Sequence, residues 1–112
     1  MASGDVFPKR LGGPTQLSVS GTPTTLFTVP AGRQFTTKQI IICNTDGVDR
    51  TVTLGIGGVT AALSVVFQLP IGMFDTIVLD TALVFDATHT LQGCSDTASK
   101  VTVTATGWER EI

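Results

Sequence analysis

Charge is scarce in this sequence: Asp, Glu, Lys and Arg together make up 14% of its 112 residues, against about 25% in ordinary soluble domains. Tyrosine is absent, tryptophan and histidine occur once each, and cysteine occurs twice. Each shortage removes a class of function. Seven basic against nine acidic residues, with a net charge of −2, leave no electrostatic footprint for a nucleic acid. One histidine and no CxxC or Cys/His cluster leave a zinc ion without a ligand set. One Trp is a thin supply for the several exposed aromatics on which sugars or single strands usually stack.

Long apolar runs are missing too. None approaches the roughly 20 residues that cross a bilayer as a helix, so no membrane partner is expected. The opening, MASGDVFPKRLGG, places acid before base around no apolar centre and does not read as a signal peptide. Synthesis and folding in a cytoplasm follow as the expectation. There Cys43 and Cys94 behave as small apolar residues, in preference to forming a disulfide.

The residues that could do chemistry are isolated. His89 falls in a turn signal, Asp86-Ala87-Thr88-His89, with neither a marked nucleophile nor a partner, so it reads as turn decoration. Gly55-Ile56-Gly57-Gly58 lacks the spacing and the following helix of a phosphate loop, and hairpin closure accounts for it. Asp46, Asp49, Asp75, Asp80, Asp86 and Asp96 nearly all sit at turns, where Asp bonds local backbone, and none forms the alternating pattern of a calcium loop. No catalytic residue, cofactor or metal ligand is predicted, and the chain is not expected to be an enzyme.

What is present is β chemistry. Leu26 to Asn44 is the stretch around which the chain is organised: a short apolar alternation, a Pro30-Ala31-Gly32 turn, then the longest β-favouring run. Strict alternation would set Phe35, Thr37, Gln39, Ile41 and Cys43 on one face and Thr36, Lys38, Ile40, Ile42 and Asn44 on the other. Apolar residues on both faces from Ile40 onward mark a central, covered strand. Asp46-Gly47 is a hairpin signal, and Arg50 to Ile56 returns with Val52, Leu54 and Ile56 on one face. Ala61 to Leu69 suits a helical turn or a strand, with Val65-Val66-Phe67 favouring the strand. Further short strands are expected at Gln16–Ser20, Thr25–Val29, Asp75–Asp80, Ala82–Phe85, Thr90–Ser95 and Lys100–Ile112, with Gly107 marking a bulge. Eight or so short strands at close spacing, without a helix, predict an all-β fold: an antiparallel β-sandwich or jelly-roll-like barrel over residues 15–112.

Residues 1–14 carry Gly4, Pro8, Gly12, Gly13 and Pro14 around Val6, Phe7 and Leu11. Those breakers exclude a helix and predict an extended N-terminal arm. Two fates stand open for it, a frayed terminus or docking on a neighbouring subunit, and Phe7 argues for the second.

The order of these signals resembles a family of small virion proteins of tailed bacteriophages, often described as minor tail or structural proteins. The resemblance runs from about Thr24 to Gly107. It is carried by Thr25-Leu26-Phe27-Thr28-Val29-Pro30-Ala31-Gly32, Ile40 to Asn44, Val52-Thr53-Leu54-Gly55-Ile56-Gly57-Gly58, Pro70-Ile71-Gly72, Thr76-Ile77-Val78-Leu79-Asp80 and Val101-Thr102-Val103-Thr104-Ala105-Thr106-Gly107. Met73-Phe74 departs from the family's more polar step and places an apolar pair beside a loop.

The resemblance implies a β-sandwich subunit, without catalytic activity, that assembles in a virion as a trimer or ring of its own copies and with other virion proteins. Low charge and the absent chemistry point the same way. Phe7, Leu11, Met73, Phe74 and Trp108 are the expected contact residues. A capsid decoration or cement protein would use the same physics. A host-surface carbohydrate-binding module, with its site around Trp108 or a loop, and a hydrolase depending on His89 are the alternatives from other classes.

Overall fold

The structure, a computed structural model, describes residues 6–19 and 21–111, with side chains from residue 8 onward. Ten strands account for most of it: β1 (Val6–Gln16), β2 (Ser18–Val19), β3 (Thr24–Thr28), β4 (Arg33–Asn44), β5 (Arg50–Ile56), β6 (Ser64–Ile71), β7 (Thr76–Leu79), β8 (Val84–Phe85), β9 (Thr90–Ser95) and β10 (Val101–Glu111). A single 3₁₀ turn at Ala61–Leu63 is the sole helical element among the described residues. The ambiguous stretch thus resolves as a turn followed by a strand.

The strands form two sheets. One runs β1-β10-β4-β7, with β8 pairing β4 beyond β7; the other runs β2-β9-β5-β6, with β3 sharing the β9 edge. All pairings are antiparallel except the two-residue match of β2 with β9. Each strand of the first half pairs with its counterpart from the second: β1 with β10, β3 with β9, β4 with β7, β5 with β6. A long hairpin rolled up in this way is a jelly roll, the expected all-β sandwich.

The core fills the space between the sheets. Leu17, Leu26, Val29, Ile40, Ile42, Val52, Leu54, Ile71, Leu91, Val101, Val103 and Ala105 are all buried there. At one end Phe27 packs on Phe35 and Phe85, with ring centroids 5.3 and 4.9 Å apart and tilted or edge-on geometry, the arrangement aromatic quadrupoles prefer.

Two irregularities redirect side chains. Phe27 follows a register break on β3, so Leu26 and Phe27 are both buried and the expected alternation fails. On β4, Thr37 pairs Gly107 while Gln39 pairs Thr106, leaving Lys38 as an extra residue. The inward face therefore switches from Phe35 and Thr37 to Ile40, Ile42 and Asn44. The bulge expected at Gly107 is present, with its extra residue on the facing strand. A Cβ on Gly107 would lie 2.0 Å from the Thr36 carbonyl oxygen, so only glycine fits this crossing.

Residues 1–5 of the expected arm lie outside the described residues. From Val6 the segment is extended and pairs along β10 of its own chain, running through Pro14 to Gln16 without a boundary. Leu11 is buried in the core at 7% exposure. It is spent inside the chain, and its expected role as an intermolecular contact is corrected accordingly.

Candidate functional site

One end of the sandwich gathers the loop between β4 and β5 and the loop between β6 and β7. Asn44, fully buried at the end of β4, ties them together. Its side-chain amide donates to the carbonyl oxygens of Val48, Ile71 and Gly72 at 3.0, 3.1 and 3.2 Å, and its side-chain oxygen accepts from the Asp46 N–H at 3.0 Å. A buried amide with its donors and acceptor occupied is a rigid bracket. Around it, the Asp49 carboxylate accepts from the Met73 N–H at 3.0 Å, and the Phe74 N–H donates to the Asp46 carbonyl at 3.1 Å.

Asp46 is held in turn by Arg50, whose Nε and terminal nitrogen approach one carboxylate oxygen at 2.9 and 2.6 Å. The Arg50 hydrogen bonds hold the Asp46 carboxyl below its ordinary value, against partial desolvation, and the Gly47 N–H adds to the effect. The same contact raises the Arg50 guanidinium.

This bracket presents apolar side chains to solvent. Val48 is 56% exposed, Met73 57% and Phe74 72%. The Phe74 ring reaches over Gly47, where a Cβ would sit 3.4 Å from its Cζ. Phe74 also has φ of +53°, in the left-handed region that a bulky residue seldom occupies. A strained aromatic held outward by backbone hydrogen bonds is a feature that concentrates at functional sites. Nothing in the sequence marks Val48 or Asn44 as part of such a tip. Their roles depend on two loops meeting, and the Asp46-Gly47 hairpin signal gives only one of the loops.

The other expected contact residues lie elsewhere. Trp108 is 38% exposed on the outer face of the first sheet, paired with Pro8 and Thr36. Thr36 and Asn44 stand near opposite ends of β4, so Trp108 is not brought together with Met73 and Phe74. The backbone of Phe7, on β1, pairs with Glu109 of β10, and the Phe7 side chain lies outside what is described. Lys38 lies 5.9 Å from the centre of the Trp108 ring, a cation–π contact that the bulge makes possible.

Glu109, next along β10, faces inward at 6% exposure. Lys9 meets it at 2.8 Å and Arg33 at 3.8 Å, so a buried carboxylate is compensated from two sides. His89 closes its turn: its Nδ1 accepts from the Asp86 N–H at 3.2 Å. Cys43 and Cys94 are free thiols, and burial pushes the Cys94 thiol up, opposed by a hydrogen bond from Thr53. Among the described residues, no three His, Cys, Asp or Glu side chains are grouped as a metal site would need.

No protein-family model matches the chain, and no curated protein matches its sequence. Among solved structures, it is similar to part of a structure of infectious bursal disease virus, Gx strain, at 11% identity and a TM-score of 0.48; the match covers 94% of this chain and 30% of that one. It is also similar to part of an exo-β-1,3-galactanase from Phanerochaete chrysosporium bound to β-1,3-galactotriose, at 19% identity and a TM-score of 0.34, over 91% of this chain and 29% of that one. The chain thus spans about a third of the length of either structure.

Proposed function

We propose that this chain is a structural subunit of a tailed-bacteriophage virion, in the tail, tail tip or neck. It assembles in the host bacterial cytoplasm by contacts with its own copies, as a trimer or ring, and with other virion proteins. It carries out no catalysis. The observation that carries the reading is the tip of Val48, Met73 and Phe74, exposed yet held in place by Asn44, Asp46 and Asp49. Exposed apolar clusters on a fixed frame are the usual core of a protein–protein contact, and the ordered loops reduce the entropy lost on docking. The jelly roll supports the reading as a topology much used in viral coats, although lectins and cupins share it. The ordered series of motifs resembling phage virion proteins supplies the remaining support. A capsid decoration protein would present the same tip to a different neighbour.

The test is mass spectrometry of density-purified particles produced from a genome that encodes the chain. The chain should remain with the particles at a fixed stoichiometry through repeated banding. Its loss from intact, infectious particles would overturn the proposal.

A further inference from the structure

Positive charge is distributed unevenly over the described residues. Of the seven Lys and Arg, Lys9 and Arg33 pair with Glu109, and Arg50 pairs with Asp46 and Asp96. Arg10, Lys38, Lys100 and Arg110 have no carboxylate partner among the described residues. Three of these four stand on one surface. Lys38 lies against Trp108; Arg10, on β1, is in register with Thr106; Arg110 is two residues beyond Trp108 and so on the same face of β10. The neighbouring acids Glu109 and Glu111 are engaged with Lys9 and Arg33.

A depression of about 370 Å³ lies in this surface, lined by Pro8, Lys9, Arg10, Lys38, Thr106, Gly107 and Trp108. That volume falls at the small end of small-molecule sites, which run from about 300 to 1,000 Å³. Trp108 and Pro8 are its apolar side chains, Gly107 contributes backbone, and Lys9, Arg10, Lys38 and Thr106 are cationic or hydroxyl-bearing.

We infer that this depression binds an acidic saccharide: one sugar ring lies on the Trp108 indole while its carboxylate, phosphate or sulfate is held by Lys38 and Arg10. The indole offers a flat apolar face to the C–H side of a sugar, and the two cations lie where an anionic substituent would extend. Arg10 supplies a planar fork and Lys38 a mobile point charge, so several anionic groups suit the pair. The bulge is what assembles the site, because the extra residue on β4 directs Lys38 outward beside the ring. A single aromatic in a shallow dish gives weak individual sites, and many copies on one particle would give avidity.

Trp108 is the only Trp and Tyr is absent, so its fluorescence reports on this site alone. The purified chain is titrated with four hexasaccharide-scale probes: oligogalacturonate, a phosphorylated oligomannose, a heparin-derived fragment and neutral maltohexaose. Saturable quenching by at least one anionic probe, with a Kd of about 0.1–1 mM that weakens as salt rises, and none by the neutral probe, is expected. K38E should weaken binding about tenfold or more, equivalent to about 1.4 kcal/mol. R10E should do likewise, and both variants should keep the wild-type circular dichroism. W108A, followed by calorimetry, should abolish binding.

Equal binding of the neutral probe, or no response to any anionic probe, overturns the inference. Tighter binding of oligoglutamate than of every saccharide would reassign the face to an acidic protein segment, and that also overturns it. The site is separate from the Phe74 tip, so K38E should leave self-association unchanged and failure of either proposal leaves the other intact.

Discussion

The buried side-chain amide of Asn44 donates to the carbonyl oxygen of Ile71 at 3.1 Å, fastening the end of β4 to the end of β6. The same amide serves Val48 and Gly72, so one residue closes both loops of the apolar tip. Asn44→Leu removes the donors and leaves these carbonyls without their partner. Each carbonyl that stays dry costs about 1–3 kcal/mol, and water reaching Val48 and Gly72 limits the total to about 3 kcal/mol. Urea denaturation should show that loss in the midpoint at an unchanged slope. A loss below half a kcal/mol would mean the bracket is not structural.

Gly107 sits where β10 crosses the bulge of β4, and a Cβ there would meet the Thr36 carbonyl oxygen and the Thr37 Cα at 2.0 and 2.8 Å. Backbone cannot rotate away as a side chain can. Gly107→Ala should therefore destabilise by about 2–4 kcal/mol, at or beyond the upper range for overpacking. Gly21 is the control, since a Cβ there meets nothing within 4 Å. Gly21→Ala should be neutral or stabilising by up to about 1 kcal/mol. Thermal unfolding of the two variants side by side checks both.

The strand pattern was legible because turn chemistry punctuates it. Arg50–Ile56 and Thr90–Ser95 occupy the predicted bounds, and Val101, Val103 and Ala105 line the core as their alternation requires. The faces of β4 were legible only as far as Thr37. The extra residue at Lys38 inverts the alternation beyond it, and a bulge of this kind leaves no mark on its own strand. Its one signal is Gly107, which lies 69 residues away on the partner strand. The exposed Met73-Phe74 pair was visible as an apolar step beside a turn, whereas the bracket at Asn44 was not. A strand-terminal Asn reads as turn chemistry, and its role depends on carbonyls 4, 27 and 28 residues away. The burial of Leu11 is not legible, because a Gly- and Pro-rich segment looks detached and the pairing that docks it on β10 is long-range.

Phe74 combines 72% exposure with a φ of +53°. Asn tolerates that backbone conformation far better, and a left-handed residue costs about 1–2 kcal/mol for an ordinary side chain. Phe74→Asn should therefore leave stability unchanged or raise it by up to about 1 kcal/mol, while weakening self-association at least about tenfold. Sedimentation velocity across a concentration series separates the two effects. Association that survives the substitution intact would remove the tip from the assembly proposal.

Cys94 is 5% exposed, and desolvation raises its thiol, whereas Cys43 is only partly covered. The thiolate is the reactive form. A disulfide-exchange reagent at pH 8 should modify one thiol per native chain quickly and the second at least about tenfold more slowly, with peptide mapping placing the fast one at Cys43. Equal rates that match global unfolding would show that both sites are closed.

Asp46 sets the acid response of the tip. Its folded-state carboxyl lies below its ordinary value because Arg50 hydrogen-bonds to the ionised form. On unfolding that contact is lost, and the carboxyl returns to the ordinary range near 4. A lowered native value means the unfolded chain takes up the proton first. The contribution to stability is therefore complete above the unfolded value and is lost as pH falls through the folded one. The melting temperature should hold from neutral pH down to about pH 5 and then decline on acidification. Asp46→Asn retains an oxygen that can accept from Gly47 and cannot form the ion pair, so the variant should be less stable at pH 7 and show a shallower acid decline. The two melting curves should converge at the acid end, as pH falls through the lowered folded-state value of Asp46. Parallel curves at all pH values would mean that Arg50 holds the loop through hydrogen-bond geometry alone, independent of the charge on Asp46.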